Sequence, residues 1–172
     1  MPKYINYIFS LALATLTSSY SSAEETSEKL RSINRPDTSN AQLSNYANDS
    51  NWKIRKSVAS RQSTPADLLI KLSADPDYRV RAAVAHNLKA PRKALLPLVN
   101  DNSPDVRLSL AHCGYTPPDI LDKLVTDPDP GVRKQLIENP NLSLRTLRDI
   151  AEGGSENAMA ADIILRKRQS EE

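Results

Sequence analysis

Residues 75–87 read DPDYRVRAAVAHN and residues 127–133 read DPDPGVR, two versions of one pattern that lie 52 positions apart. That distance is twice a 26-residue period that runs through most of the chain. Seven columns of residues keep this spacing, and one of them contains Ile54, Val80, Val106 and Val132. A fixed period of about 20–50 residues is typical of repeat proteins. The sequence therefore predicts an array of similar units.

Each unit reads as two short helices joined by a turn. The first helix follows a residue whose side chain can accept hydrogen bonds from free backbone N–H groups. These capping residues are Asn51, Asp77, Ser103 and Asp129. The second helix opens at Thr64-Pro65 or Thr116-Pro117, again a capping residue followed by proline. Helices of two to three turns are marginal alone and gain stability by packing on the next unit.

The predicted fold is all-α: a right-handed α-solenoid of about four 26-residue helix-turn-helix repeats with terminal half-repeats, over residues 38–154. Pro97 lies inside the second helix of the third repeat, so we expect that helix to be broken or partly 3₁₀. Residues 155–172 are predicted to form a C-terminal capping helix and tail, because Asp162 stands where the repeat expects Leu.

The first 23 residues have the features of a secretory signal peptide. Lys3 precedes an apolar stretch over about residues 5–16, and the small residues Ser21 and Ala23 mark a cleavage site. The apolar stretch is too short to span a bilayer, which takes about 20 residues. We therefore expect a periplasmic or secreted protein with no membrane span after signal removal. Residues 24–37 are predicted to be a flexible polar lead-in.

The segments 75–87 and 127–133, together with Glu138-Asn139-Pro140-Asn141, resemble leucine-rich repeat variant (LRV) repeats. That family belongs with the HEAT-like α-solenoids, and the resemblance covers most of the chain after the signal peptide. It implies a curved helical superhelix that commonly serves as a binding scaffold. The chain departs from the family in its period, and it lacks the cysteine cluster of an iron–sulfur-bearing member. The resemblance therefore implies no cofactor.

Composition excludes several classes of function. Residues 24–99 contain thirteen Lys and Arg against eight Asp and Glu, and residues 100–172 contain nine against thirteen. The two halves nearly cancel, which argues against a nucleic-acid partner because such affinity comes mostly from phosphate neutralisation. The sequence shows no serine elbow, no catalytic triad and no paired carboxylates in a glycine-framed pocket. We therefore expect no enzymatic activity.

Two of the seven columns hold charges of opposite sign, with each Asp six residues before an Arg. The pairs are Asp49/Arg55, Asp75/Arg81, Asp101/Arg107 and Asp127/Arg133. The arginines either grasp phosphates or carboxylates, or form a structural ladder by pairing with an Asp of their own or a neighbouring repeat. We favour the structural ladder, because retention in every unit suits stacking better than a binding site, which usually occupies one place.

His86 and His112 occupy one column in adjacent repeats, and Cys113 follows. Because stacked helices lie about 10 Å apart, a metal site would need the imidazoles closer together and a third ligand. We expect no metal site, and a surface or capping role for both histidines. Cys113 has no partner in the chain, so it is either buried or able to form an intermolecular disulfide.

A candidate binding surface lies on the second helices, if these line the concave side. It comprises Ile70 and Leu96 with a rim of Lys71, Arg92 and Lys93. An apolar centre with a charged rim is typical of protein interfaces; the alternative is that Ile70 and Leu96 pack between helices. The predicted function is an exported, non-catalytic scaffold or adaptor that binds another protein. The alternatives are an immunity-type inhibitor of an envelope toxin or enzyme, and a HEAT-like enzyme that uses the groove.

Overall fold

The computed structural model describes residues 22–170, and all regular secondary structure within that range is helical, which confirms the all-α prediction. The helices are α1 (22–33), α2 (Asn40–Tyr46), α3 (Trp52–Ser60), α4 (Ala66–Leu72), α5 (Tyr78–Ala85), α6 (Arg92–Leu95), α7 (Pro104–His112), α8 (Pro118–Leu121), α9 (Pro130–Glu138), α10 (Leu144–Glu152) and α11 (Ala158–Ser170). The predicted signal peptide lies outside the described residues except for its last two positions.

The first helices of successive units pack directly against one another, in the order α3, α5, α7 and α9. Their shared valine column, Ile54, Val80, Val106 and Val132, is completely buried. Small buried side chains let these helices approach closely near their C-terminal ends, at Ala59, Ala85 and Ala111. The second helices pack mainly on the first helices and contact each other less. One apolar core therefore runs through all the units.

The predicted caps form in most units. The side chains of Asn51, Asp77 and Asp129 accept hydrogen bonds from backbone N–H groups in the first turns of α3, α5 and α9. Ser103 occupies the cap position of α7 but makes no such bond. Pro104 follows it at the first helical position, where the missing N–H leaves one group fewer to satisfy.

The two threonines expected to cap second helices do something else. The Thr64 hydroxyl donates to the carbonyl of Val58 at 2.6 Å, and the Thr116 hydroxyl donates to that of Leu110 at 2.8 Å. Both acceptors lie in the preceding first helix. Each threonine therefore fixes the turn within its unit rather than the start of the second helix.

Pro97 shortens its helix as predicted. The α-helix α6 ends at Leu95, and residues Leu96–Asn100 continue it as a 3₁₀ helix. The segment Asp122–Leu124 after α8 is also a 3₁₀ helix, although Lys123 stands at the position equivalent to Pro97. Proline is therefore one cause of the tighter geometry and not the only one.

The predicted flexible lead-in at residues 24–37 needs correction, because residues 22–33 form α1. Ile33 is completely buried and Leu30 packs against the core. Lys29 lies 26 positions before Arg55, and Ile33 likewise lies 26 positions before the buried Ala59. The segment α1 is therefore a diverged first helix that packs in register with the repeats.

The C-terminal helix α11 lies where a capping helix is predicted. It packs against α10 and α9 through Ala161 and Leu165, which are buried. Met159 and Ile163 are instead exposed on its outer side, at 79% and 61%. Within residues 22–170 every helix is too short or too polar to cross a membrane.

Candidate functional site

The Arg and Asp columns form a bonded ladder between neighbouring units. In three consecutive steps, Nε and Nη2 of one guanidinium donate to both carboxylate oxygens of the Asp in the next unit. The distances are 2.7 and 2.9 Å for Arg55–Asp75, 2.6 and 2.8 Å for Arg81–Asp101, and 2.7 and 3.0 Å for Arg107–Asp127. Such two-pronged pairing combines strength with a fixed geometry.

The remaining nitrogen of each guanidinium holds the turn of its own unit. Nη1 of Arg81 donates to the main-chain carbonyls of Asp75 at 2.7 Å and Pro76 at 3.1 Å, and the other ladder arginines repeat the contact with the Asp carbonyl. The carboxylate of Asp101 in turn accepts from the backbone N–H of Ser103 at 2.9 Å. Each Arg–Asp pair, which we call a rung of the ladder, therefore joins two turns and the start of a helix.

The electrostatics of a rung favour the charged pair. Burial, the largest single effect, raises the pKa of Asp101, but hydrogen bonds from Arg81 and the backbone of Ser103, with the nearby positive charges, outweigh it and lower that pKa overall. The hydrogen bond to Asp101 raises the pKa of Arg81 against the effect of burial. The two side chains are 17% and 6% exposed, so salt screens the pair only weakly.

The ladder is completed at both ends by other residues. Nζ of Lys29 in α1 donates to Asp49 at 2.9 Å, and Arg133 pairs with Glu156 because Gly153 takes the position where the column would place an Asp. In this arrangement the forks of the ladder arginines are already occupied by carboxylates of the same chain. The geometry therefore matches the structural alternative and leaves little of the ladder for a ligand.

A second set of inter-helix bonds runs along the opposite ends of the first helices. Nδ2 of Asn87 donates to the carbonyls of Ala59 at 2.7 Å and Arg61 at 3.0 Å. Asn139, two units further, donates in the same way to Ala111 and Cys113, at 2.6 and 3.0 Å. We call these bonds amide clips. The sequence pattern gave no sign of them, because residues 61, 87, 113 and 139 of this column are Arg, Asn, Cys and Asn.

Cys113 therefore interrupts the clip column. Its side chain is buried and unpaired, which matches the buried alternative and disfavours an intermolecular disulfide. At the first step, between α1 and α3, the guanidinium of Arg61 takes the place of the amide and donates to the carbonyl of Ile33. Among the steps from α1 to α9, the step between α5 and α7 is thus the one at which the column places no side-chain donor.

The predicted binding residues on the second helices are only partly available. Ile70 is half-buried and packs against the core, as the alternative prediction had it. Lys71 bonds to Asn48, and Arg92 pairs with Asp119 of the next unit. Lys93 and Leu96 are exposed, Leu96 at 36%. The structure thus leaves one apolar side chain of the predicted pair on this surface.

A different cluster lies at the C-terminal ends of α5 and α7, and we call it the central patch. It comprises His86, Leu88, Leu108, His112 and Tyr115, all exposed. The two imidazole rings lie 5.7 Å apart between centroids, at 71° to each other. Leu108 stands one helical turn before His112, and Leu88 and Tyr115 lie in consecutive connecting turns. Partial desolvation lowers the pKa of His86.

An aromatic contact marks the start of α3. The guanidinium of Arg79 lies over the Trp52 ring, 3.4 Å from its centroid, and also pairs with Asp77. The hydrogen bond from Arg79 lowers the pKa of Asp77 to about 2. Because this arginine is held on both sides, the contact fixes the N-terminal units to each other.

A cavity of about 210 Å³ lies between α9 and α10 and is lined by Leu136, Ile137 and Ile150 with Arg133 and Asp149 on its border. No group of three or more His, Cys, Asp or Glu residues within 22–170 is placed to hold a metal ion.

Comparison with known proteins gives no match: no family model, no curated protein and no solved structure matches this chain. The LRV and HEAT-like resemblance therefore stays a prediction that depends on the repeat residues alone.

Proposed function

We propose that this protein is a non-catalytic interaction scaffold, an α-solenoid of 26-residue helix pairs that binds another protein. The observation that carries the proposal is the central patch. Three of the seven large apolar side chains that are exposed in the described residues belong to this patch: Leu88, Leu108 and Tyr115. Exposed apolar residues that gather on neighbouring units mark interaction sites more often than scattered ones do.

The residue types of the patch suit a protein partner. Tyr115 is 70% exposed and Leu88 is 49% exposed, and both lie in turns whose ends are fixed by the amide clips and threonine bonds. Tyrosine is among the residues that contribute most to binding energy at interfaces. A surface held rigid before binding loses little conformational entropy on association. The ladder supports the proposal because it fixes α5 relative to the start of α7 at their N-terminal edge.

The packing of the helices favours one side of the array for binding. First helices pack closely on one another while second helices contact each other less. In a curved stack the closer spacing belongs to the inner side, so we place the first helices, and with them Leu108, on the concave side. The sequence interpretation placed the second helices there. Solenoids commonly bind partners on their concave surface.

Export to the periplasm or outside the cell is part of the proposal and depends on residues 1–23 of the sequence. An immunity-type inhibitor stays the alternative within the class of binders. The two differ in the effect of binding, because an inhibitor abolishes the activity of its partner at equimolar concentration and a scaffold does not.

The decisive experiment is affinity capture from the native envelope fraction, quantified by mass spectrometry for the wild type and matched variants. We expect Leu88→Asp with Tyr115→Asp to reduce the captured partner at least tenfold. Met159→Asp with Ile163→Asp introduces the same charges on an exposed surface far along the chain, and we expect it to leave capture unchanged.

Two results would contradict the proposal. Retention of the partner by the Leu88/Tyr115 variant, with loss on Leu96→Asp, would move binding to the second helices. Capture that never exceeds the tag-only control would remove the scaffold function. Far-UV circular dichroism of each variant establishes that the exposed substitutions leave the helices intact.

A further inference from the structure

Two imidazole rings face each other across the boundary between neighbouring units. His86 follows α5 directly and His112 is the last residue of α7. Their ring centroids are 5.7 Å apart, much closer than the roughly 10 Å that separates packed helices. Both side chains are exposed, so ions and water reach them. The rings are therefore closer than the sequence interpretation assumed, although no third protein ligand accompanies them within residues 22–170.

The ring separation fits a shared metal ion. A zinc–nitrogen bond of about 2.1 Å, with about 1.2 Å from nitrogen to ring centre, places each centroid about 3.3 Å from the ion. Two imidazoles on one ion then have centroids about 5.4 Å apart at a tetrahedral angle and about 6.6 Å apart at a straight angle. The observed 5.7 Å lies between these values. Exposed side chains rotate within about nanoseconds, so the ring nitrogens are free to change direction.

The surroundings also favour a cation. The rings stand at the C-terminal ends of α5 and α7, where the helix dipoles are negative. Glu138 occupies the next position of the same column, at the end of α9, and is exposed.

The position within the array gives the site a structural meaning. Amide or guanidinium donors join the C-terminal ends of α1 to α3, α3 to α5 and α7 to α9. The step from α5 to α7 has Cys113 at the clip position instead. The histidine pair lies at this same step, so an ion between the rings would supply the missing link.

We propose that His86 and His112 together bind one divalent transition-metal cation of the class that prefers imidazole ligands, such as Zn²⁺ or Cu²⁺. Water completes the coordination, since two protein ligands leave positions open. The ion bridges α5 and α7 and stabilises the junction of their units. This inference does not depend on the scaffold function, and metal binding can be measured without any protein partner.

Calorimetric titration of the tag-free protein with ZnCl₂, and separately with CuSO₄, tests the proposal. We expect one equivalent per chain with a dissociation constant in the micromolar range. His86→Ala and His112→Ala should each weaken binding at least tenfold, because either leaves a single imidazole. Cys113→Ser is the matched control that keeps both rings, and binding should be unchanged. Unchanged affinity in both histidine variants, or absence of binding at about 1 mM metal, overturns the proposal.

A spectroscopic measurement separates this site from metal held elsewhere. The electron paramagnetic resonance spectrum of the Cu²⁺ complex should show coupling to two imidazole nitrogens in the wild type and to at most one in His112→Ala. Zn²⁺ should also raise the thermal midpoint of the wild type and leave that of His112→Ala unchanged, because only bound metal stabilises the folded state. A two-nitrogen spectrum that persists in His112→Ala would place the ion on other residues and refute the assignment.

Discussion

Substitution of Asp127 tests whether the Arg–Asp ladder stabilises the array. Its carboxylate accepts two hydrogen bonds from Arg107, at 2.7 and 3.0 Å, and one from the backbone N–H of Asp129, at 2.9 Å. The side chains of Arg107 and Asp127 are only 10% and 2% exposed. Asp127→Ala would leave the guanidinium buried without its counter-ion, and breaking a buried pair from one side costs about 3–5 kcal/mol. Because Arg107 keeps its bond to the Asp101 carbonyl at 2.6 Å, we expect the free energy of unfolding to fall by about 3 kcal/mol.

Urea denaturation followed by far-UV circular dichroism measures this loss. Asp162→Ala is the matched control, since Asp162 pairs with Arg166 on the exposed side of α11 at 2.8 Å; surface pairs contribute less than about 1 kcal/mol. A double variant, Arg107→Met with Asp127→Asn, removes both charges yet keeps an acceptor for the Asp129 N–H. We expect it to recover more than half of the loss. Equal costs at Asp127 and Asp162, or no recovery in the double variant, would refute the structural role of the ladder.

Three other predictions concern helix α1, the Arg–Asp ladder and the amide clips. Ile33→Ala should lower the free energy of unfolding by about 2–5 kcal/mol, because Ile33 is completely buried. A loss below about 0.5 kcal/mol would instead support the prediction that residues 24–37 are flexible. The pKa of Asp101 is lowered in the folded state from its usual 3.8, so its charge stabilises the fold above that value and the benefit is lost as pH falls through the folded pKa. The urea midpoint should therefore decline below about pH 4, less steeply in Asp101→Asn. Cys113→Asn should restore the amide clip and raise the free energy of unfolding by about 1 kcal/mol in the same assay, whereas an unchanged or lower value would show that the buried site does not accept it.

The regular part of the fold can be predicted from the sequence because the same residue pattern recurs in several units. A buried position such as Val80 recurs in every unit, and Pro97 alone predicts that its helix is interrupted. The first helix α1 was missed for a physical reason: Glu28 and Ser32 stand where the repeat has apolar residues, so the usual stripe is absent. Lys29 still keeps the ladder register, and that single charge was the available signal.

The candidate site was harder to predict than the fold. The periodic pattern assigns buried faces well, but the burial of Ile70 depends on how closely the second helices pack, which the 26-residue period does not specify. Leu88 and Tyr115 lie in turns, where helical periodicity gives no information about exposure. The distance between the His86 and His112 rings depends on side-chain directions at two helix ends. The alignment of the repeats fixes neither this distance nor these side-chain directions.

The two edges of the first helices have different capacities for function. At the N-terminal edge the ladder repeats in every unit and uses its polar groups internally, as Arg81 and Asp101 do, so this edge stabilises the array and offers little to a partner. At the C-terminal edge the bonding varies from step to step, and the step with Cys113 has no clip. A unit that departs from the others gives a repeat array a feature that its neighbours lack. The departure at Cys113 coincides with the histidine pair and the exposed Tyr115, which is why we place both the proposed interface and the proposed metal at this step.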